Sequence, residues 1–169
     1  MQYFLGADIG TTSVKAIAFD RNGNALFSAV REYPMHHPLP GFSEQDPEVV
    51  SDAVFEGIER VIDHFKTPPA FICFSAAMHS IMAVDSNGVP LTPLMIWADN
   101  RSKHIAAAWH NTGDAPFYFQ RTGVPVHAMS PLVKLAWIKE NQPGIFQEAY
   151  KFIGIKEYVM YRLIEQANP

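Results

Sequence analysis

The sequence has little cysteine: Cys73 stands alone among 169 residues, so no disulfide can close within the chain. It has no apolar run long enough to cross a bilayer as a helix. Positive charge is not in excess, since 13 Lys and Arg face 17 Asp and Glu; a net charge of −4 gives no electrostatic footprint for nucleic acid. Gly6, Asp8 and Gly10 interrupt the one apolar start, so no secretory leader is expected and the cytoplasm is the expected compartment. No Gly-Lys-Ser/Thr follows a glycine at the spacing of a Walker loop. Internal repeats, low-complexity segments and linkers are also missing. What remains, 48% hydrophobic over 169 residues, suffices for one ordinary domain with a real core.

The first twenty residues organise the rest. Tyr3-Phe4-Leu5 leads into Gly6-Ala7-Asp8-Ile9-Gly10-Thr11-Thr12-Ser13, and Val14 to Phe19 resumes an apolar-rich run before the turn Asp20 to Asn24. This pattern predicts a strand, a tight turn and a second strand. One reading is a hairpin with a polar turn, because Gly, Asp, Ser and Thr commonly build turns. Yet two-residue hairpin turns favour Asn-Gly or Asp-Gly, and three successive hydroxyls exceed what a turn needs. The alternative is a phosphate-binding hairpin. In it, Gly10 admits close approach to the main chain, and Thr11, Thr12 and Ser13 hydrogen-bond phosphate oxygens. Lys15 adds charge, and Asp8 holds a hydrated Mg²⁺, which prefers one or two carboxylates plus waters and phosphates.

Further along, Ala25 to Val30 reads as a third strand, giving an antiparallel N-terminal meander. Pro34, Pro38 and Pro40 make a loop, and His36-His37 within it lacks a second ligand pair at metal spacing. Asp46-Pro47-Glu48 starts a helix with an apolar face from Val50 to Phe65, ended by Pro68-Pro69. Ala70 to Phe74 is expected as a central buried strand, with Cys73 a buried small hydrophobe. Strands follow at Ile81 to Asp85 and Leu94 to Trp97. Helices are expected around Ile105 to Trp109, from Ala115 to Arg121 ended by Gly123, and from Ser130-Pro131. Tyr150 to Ile153 and Lys156 to Leu163 read as a last strand and helix. Together these predict an α/β fold, a mixed sheet covered by helices.

Ligands in such sheets lie beyond strand ends. Three polar clusters fall there: Asp8 to Ser13, Ser75 to Ser80, and Trp97 to Arg101. If they converge, Met78 and His79 join an indole at Trp97 and the donors of Asn100 and Arg101 in a polyol pocket. Taken singly, His79 is more often structural, Trp97 more often core, and Asn100-Arg101 simply the start of a helix.

Asp8-Ile9-Gly10-Thr11-Thr12-Ser13-Val14-Lys15 resembles the first phosphate motif of sugar kinases in the actin and hexokinase superfamily. Phe42-Ser43-Glu44-Gln45-Asp46-Pro47-Glu48, Met78-His79-Ser80, Trp97-Ala98-Asp99-Asn100-Arg101 and Thr122-Gly123-Val124-Pro125 follow in the order expected of the FGGY carbohydrate kinases. Lys134-Leu135-Ala136-Trp137 and Ile155-Lys156-Glu157-Tyr158 extend the resemblance over nearly the whole chain. It implies a ribonuclease H-like domain of the actin/hexokinase ATPase type, spanning residues 1–169 as an incomplete N-terminal part, and phosphorylation of a sugar, polyol or sugar acid with Mg-ATP. By the same resemblance Asp8 sits near Mg²⁺, Gly10 to Ser13 and Lys15 near the transferring phosphates, and Met78, His79, Trp97, Asn100 and Arg101 along the sugar. The pattern looks most like gluconate kinases, then xylulose kinases. Family members are several times longer, so the aspartate acting as base and the adenosine pocket are expected outside this chain, leaving it inert alone. A homodimer of the full-length protein is allowed. The reading of another class is a non-catalytic sugar- or nucleotide-binding module.

Overall fold

The computed structural model describes residues 2–167. They divide into two compact units, one within residues 2–35, 46–77 and 155–167, the other within 36–45 and 78–154.

The first unit is built on the meander. Strands β1 (Phe4–Ile9), β2 (Ser13–Phe19) and β3 (Ala25–Glu32) pair antiparallel, and β5 (Ile72–Ala76) joins β1 in parallel, giving the order β3-β2-β1-β5. Alternation sets the faces: Leu5, Ala7, Ile9, Val14, Ala16 and Ala18 are buried. Against this sheet packs α1 (Pro47–Phe65), whose buried stripe is Val50, Ala53, Val54, Gly57, Ile58 and Val61. Its start is capped as the sequence predicts: the Asp46 carboxylate accepts from the Glu48 N–H at 2.9 Å, with Pro47 in the first turn. The helix stops before the prolines, at Lys66, which takes a left-handed conformation (φ 55°) and donates to the Ile62 carbonyl. Helix α6 (Ile155–Ala167) lies on α1, where the Tyr158 hydroxyl and the Arg162 guanidinium both donate to Glu48.

One expectation fails here. Among the described residues the run from Ala70 leads into a strand, Ile72–Ala76, at the edge of the sheet rather than its centre, and Cys73 is exposed. In β5 the side chains alternate between half-buried and exposed because the pleat sends successive residues to opposite faces, and Cys73 falls on the open face with Asp8 and Lys15. A short apolar run does not by itself distinguish these two positions.

The second unit holds two small antiparallel ladders, β4 (Glu44–Gln45) with β7 (Leu94–Met95) and β6 (Met82–Val84) with β8 (Lys151–Ile153). A bridge between Ile81 and Met95 sets the β6 and β7 segments side by side. Around them lie α2 (Lys103–Thr112), α3 (Ala115–Thr122), α4 (Pro131–Asn141) and α5 (Pro143–Glu148). Gly123 closes α3 at φ 69°, the left-handed cap the sequence signals. Helix α5 has no counterpart in the sequence reading; Pro143 and Gly144, which resemble a break, form its first turn. The core joins Ile105, Ala106, Ala115, Val126 and Val133, and a neighbouring cluster joins Ile81, Met95 and Ile138.

Candidate functional site

In the first unit the candidate residues gather at the β1–β2 turn. The β1–β2 register ends at Ile9 opposite Val14, and just beyond it the Gly10 N–H donates to the Ser13 carbonyl at 2.9 Å, leaving Thr11 and Thr12 as a two-residue loop. Twist-matched hairpin turns of this length need a positive φ. Among the described residues positive φ occurs at Lys66, His79 and five glycines, none of them in this loop. The turn therefore has a shape that strand pairing alone does not favour. A Cβ added at Gly10 would lie 3.0 Å from the Ser13 carbonyl oxygen, so close approach, not φ, is what disfavours a side chain here.

Tyr33, just past β3, holds this loop from behind. Its N–H donates to the Thr12 carbonyl at 3.1 Å and its hydroxyl to the Gly10 carbonyl at 2.7 Å. Burial pushes the Tyr33 phenol well above its usual pKa, and the negative charge of Asp8 adds to that, so the hydroxyl stays a donor. Asp8 and Lys15 face each other across the ladder, and Ser75 flanks Asp8 on β5. Asp8 and Lys15 are exposed. Gly6, Asp8, Lys15, Ile17, Cys73 and Ser75 line a shallow hollow of about 240 Å³ on this sheet.

This donor set fits a metal carried by phosphate. Among the described residues no group of three His, Cys, Asp or Glu forms a metal cage. A lone exposed carboxylate beside a hydroxyl-bearing turn suits Mg²⁺, which keeps waters and phosphate oxygens in its shell.

The other candidates belong to the second unit, where the antiparallel Ile81–Met95 bridge puts the turn before β6 beside the loop after β7. Met78 is 71% exposed and Trp97 47% exposed. His79 is half-buried in the left-handed region, φ 67°, a conformation that costs a non-glycine residue roughly 1–2 kcal/mol. Asn100 is exposed, its amide donating to the Ala98 carbonyl at 2.9 Å and its backbone N–H to Gly41 at 2.8 Å.

Arg101 has a different place. Its side chain is 3% exposed. Nε and Nη2 donate to the Asp99 carboxylate at 2.8–3.0 Å, and Nη2 donates also to Glu44. The guanidinium lies 3.7 Å from the Phe42 ring centroid and 5.0 Å from that of Trp137. Asp99, fully buried, accepts in addition from the Ser43 N–H at 2.7 Å. Arg101 is thus committed to holding the loop that carries Trp97 and Asn100, not to its surface.

Sequence reasoning gave no role to the groups that support these loops: Tyr33, Phe42, Asp99 and Lys134. Lys134, on α4, is fully buried and donates to the carbonyls of His79 at 2.8 Å and Ile96 at 2.6 Å. Burial lowers its pKa to about 8, with Asp99 acting to raise it and Arg101 to lower it. The available signal was a lysine four residues before Ile138 on a helix face that is otherwise buried.

Comparison with known proteins bears on the whole chain. The model of the N-terminal domain of the FGGY family of carbohydrate kinases matches residues 3–168. A gluconokinase of Bacillus subtilis is 42% identical over 165 residues, covering 97% of this chain and 32% of the relative. A gluconate kinase structure from Lactobacillus acidophilus superposes with a TM-score of 0.92 at 38% identity, over 95% of this chain and 33% of that one. A ligand-bound xylulose kinase structure from the same organism gives the same TM-score of 0.92 and 38% identity, over 96% and 33%. The chain spans about a third of the length of these relatives.

Proposed function

The chain belongs to the FGGY family of carbohydrate kinases, and from that premise we propose that it is the N-terminal part of a kinase that transfers phosphate from ATP to gluconate. The first unit receives the phosphates. The hydroxyls and amides of the exposed Thr12 and the half-buried Thr11 and Ser13 bind phosphate oxygens, and Lys15 offsets their charge. Asp8 holds the water shell of Mg²⁺, which when bound neutralises charge on the phosphate oxygens. The second unit receives the acceptor: Trp97 stacks on its carbon face, while Met78, His79 and Asn100 fix its hydroxyls. Arg101 acts at one remove, holding the loop through Asp99. The cytoplasm, where ATP and sugar acids meet, is the compartment this reading needs.

The observation that carries it is the Gly10–Ser13 turn, a shape hairpin twist does not ask for, backed by Tyr33 and set beside an exposed carboxylate. Gluconate is the first acceptor because the gluconokinase likeness is the higher in identity. Xylulose is the second reading, favoured by one specific observation: the two Lactobacillus structures match this chain equally well.

The test is a calorimetric titration of the protein with gluconate and with xylulose, alongside ADP release from Mg-ATP in the presence of each. Gluconate is expected to bind more tightly and to give faster ADP release. The reverse order would transfer the assignment to xylulose. Binding of a sugar with no ADP release from the whole gene product would make this a sugar-binding module instead.

A further inference from the structure

The buried ammonium of Lys134 has no part in the chemistry assigned above, yet it occupies an unusual position. It is fully buried, and both its hydrogen bonds go to backbone carbonyls that precede candidate acceptor residues or belong to them. One carbonyl is that of His79, the half-buried residue held at φ 67°. The other is that of Ile96, immediately before the half-exposed Trp97. A left-handed non-glycine residue persists when its surroundings over-determine it, and such strain gathers at binding sites. Here the determinant is a charge-assisted bond from a helix in the core. Burying an ammonium is costly, and apolar packing at this position on α4 would be the cheaper way to fill the space.

We infer that Lys134 is a positioning residue of the acceptor site: by tying the His79 and Ile96 carbonyls to one ammonium it fixes the Met78-His79 turn against the Trp97 loop. This rests on the reading that Met78, His79 and Trp97 contact the acceptor. Lys134 does not touch the acceptor; its charge is spent on two carbonyls, and what it sets is the spacing between two exposed groups. The neighbouring Asp99–Arg101 pair holds the far end of the same loop, so the loop is pinned at Ile96 by one buried cation and at Asp99 by another.

The experiment uses Lys134→Met, which keeps the stem and removes the donors. Gluconate affinity is measured by calorimetry, and amide hydrogen exchange is followed over residues 78–82, 95–101 and 10–14. The expected result is a loss of gluconate affinity of about tenfold or more, with faster exchange in 78–82 and 95–101 and unchanged exchange in 10–14. A folded variant that binds gluconate within about twofold of wild type overturns the inference and leaves the acceptor reading standing. Wild-type protein that binds neither gluconate nor xylulose overturns the acceptor reading, and this control separates the two failures. If the variant does not fold, wild-type exchange decides: gluconate should protect 78–82, 95–101 and the α4 turn around Lys134 together. Protection of the two loops without that turn overturns the inference.

Discussion

The two units distribute charge in opposite ways around their candidate loops. At the β1–β2 turn the charged groups, Asp8 and Lys15, are exposed, and the bonds that shape the turn are neutral: a backbone pair and the Tyr33 hydroxyl. In the second unit the charged groups, Asp99, Arg101 and Lys134, are buried and structural, while Met78, Trp97 and Asn100 present neutral groups outward. A loop that binds phosphate and metal needs its charges free, so its shape must come from uncharged bonds. A loop that binds a polyol can spend charge on architecture, where buried ions specify one arrangement at the cost of intolerance to losing a partner.

The sharpest way to break this contrast is Asp99→Ala. It leaves the Arg101 guanidinium buried against Phe42 with Glu44 as its remaining carboxylate and should cost about 3–5 kcal/mol in urea unfolding. A cost under about 1 kcal/mol would mean the ion cluster does not hold the loop. Gly10→Ala comes next. The new methyl meets the Ser13 carbonyl at 3.0 Å, so the turn must open, at about 1–3 kcal/mol, with chemical shift changes confined to the first unit. Unchanged shifts at Thr11 to Ser13 would show a turn looser than described.

Tyr33→Phe keeps the ring and removes the donor to the Gly10 carbonyl; about 1 kcal/mol is expected, with faster exchange at residues 10–14. Equal exchange in both proteins would make the backbone pair sufficient by itself. The last test is a pH dependence. Lys134 has a folded-state pKa of about 8 against 10.5 unfolded, so between those values the unfolded chain holds a proton that the folded chain has released. Stability due to this group therefore rises with pH across that window. The difference in unfolding free energy between wild type and Lys134→Met should widen from pH 8 to 10. A flat difference would return the amine to its ordinary pKa.

The meander, the Asp46 cap and the Gly123 stop were legible because local chemistry decides them: alternation, a capping carboxylate, a left-handed glycine. The tight turn between β1 and β2 was legible for the same reason, being set within eight consecutive residues. Burial of Cys73 was misjudged because a five-residue apolar run carries no information about whether both faces of its strand are covered. Arg101 stood in the sequence as an acceptor-site donor or a helix start, because Asp99, two residues away, and Glu44, far off in sequence, jointly enclose it only in the folded unit. Lys134 was invisible as a support, since its partners are carbonyls, which every residue has. Long-range partners of buried charges are where single-sequence reasoning stops.

Cys73 offers a practical consequence. It is the one thiol in the chain, it is exposed, and it sits in register with Gly6 on the strand next to Asp8. A maleimide spin label or fluorophore would therefore attach at a single place, on the rim of the hollow that Asp8 and Lys15 line. Events at that hollow become observable by spectroscopy without any cysteine engineered into this chain.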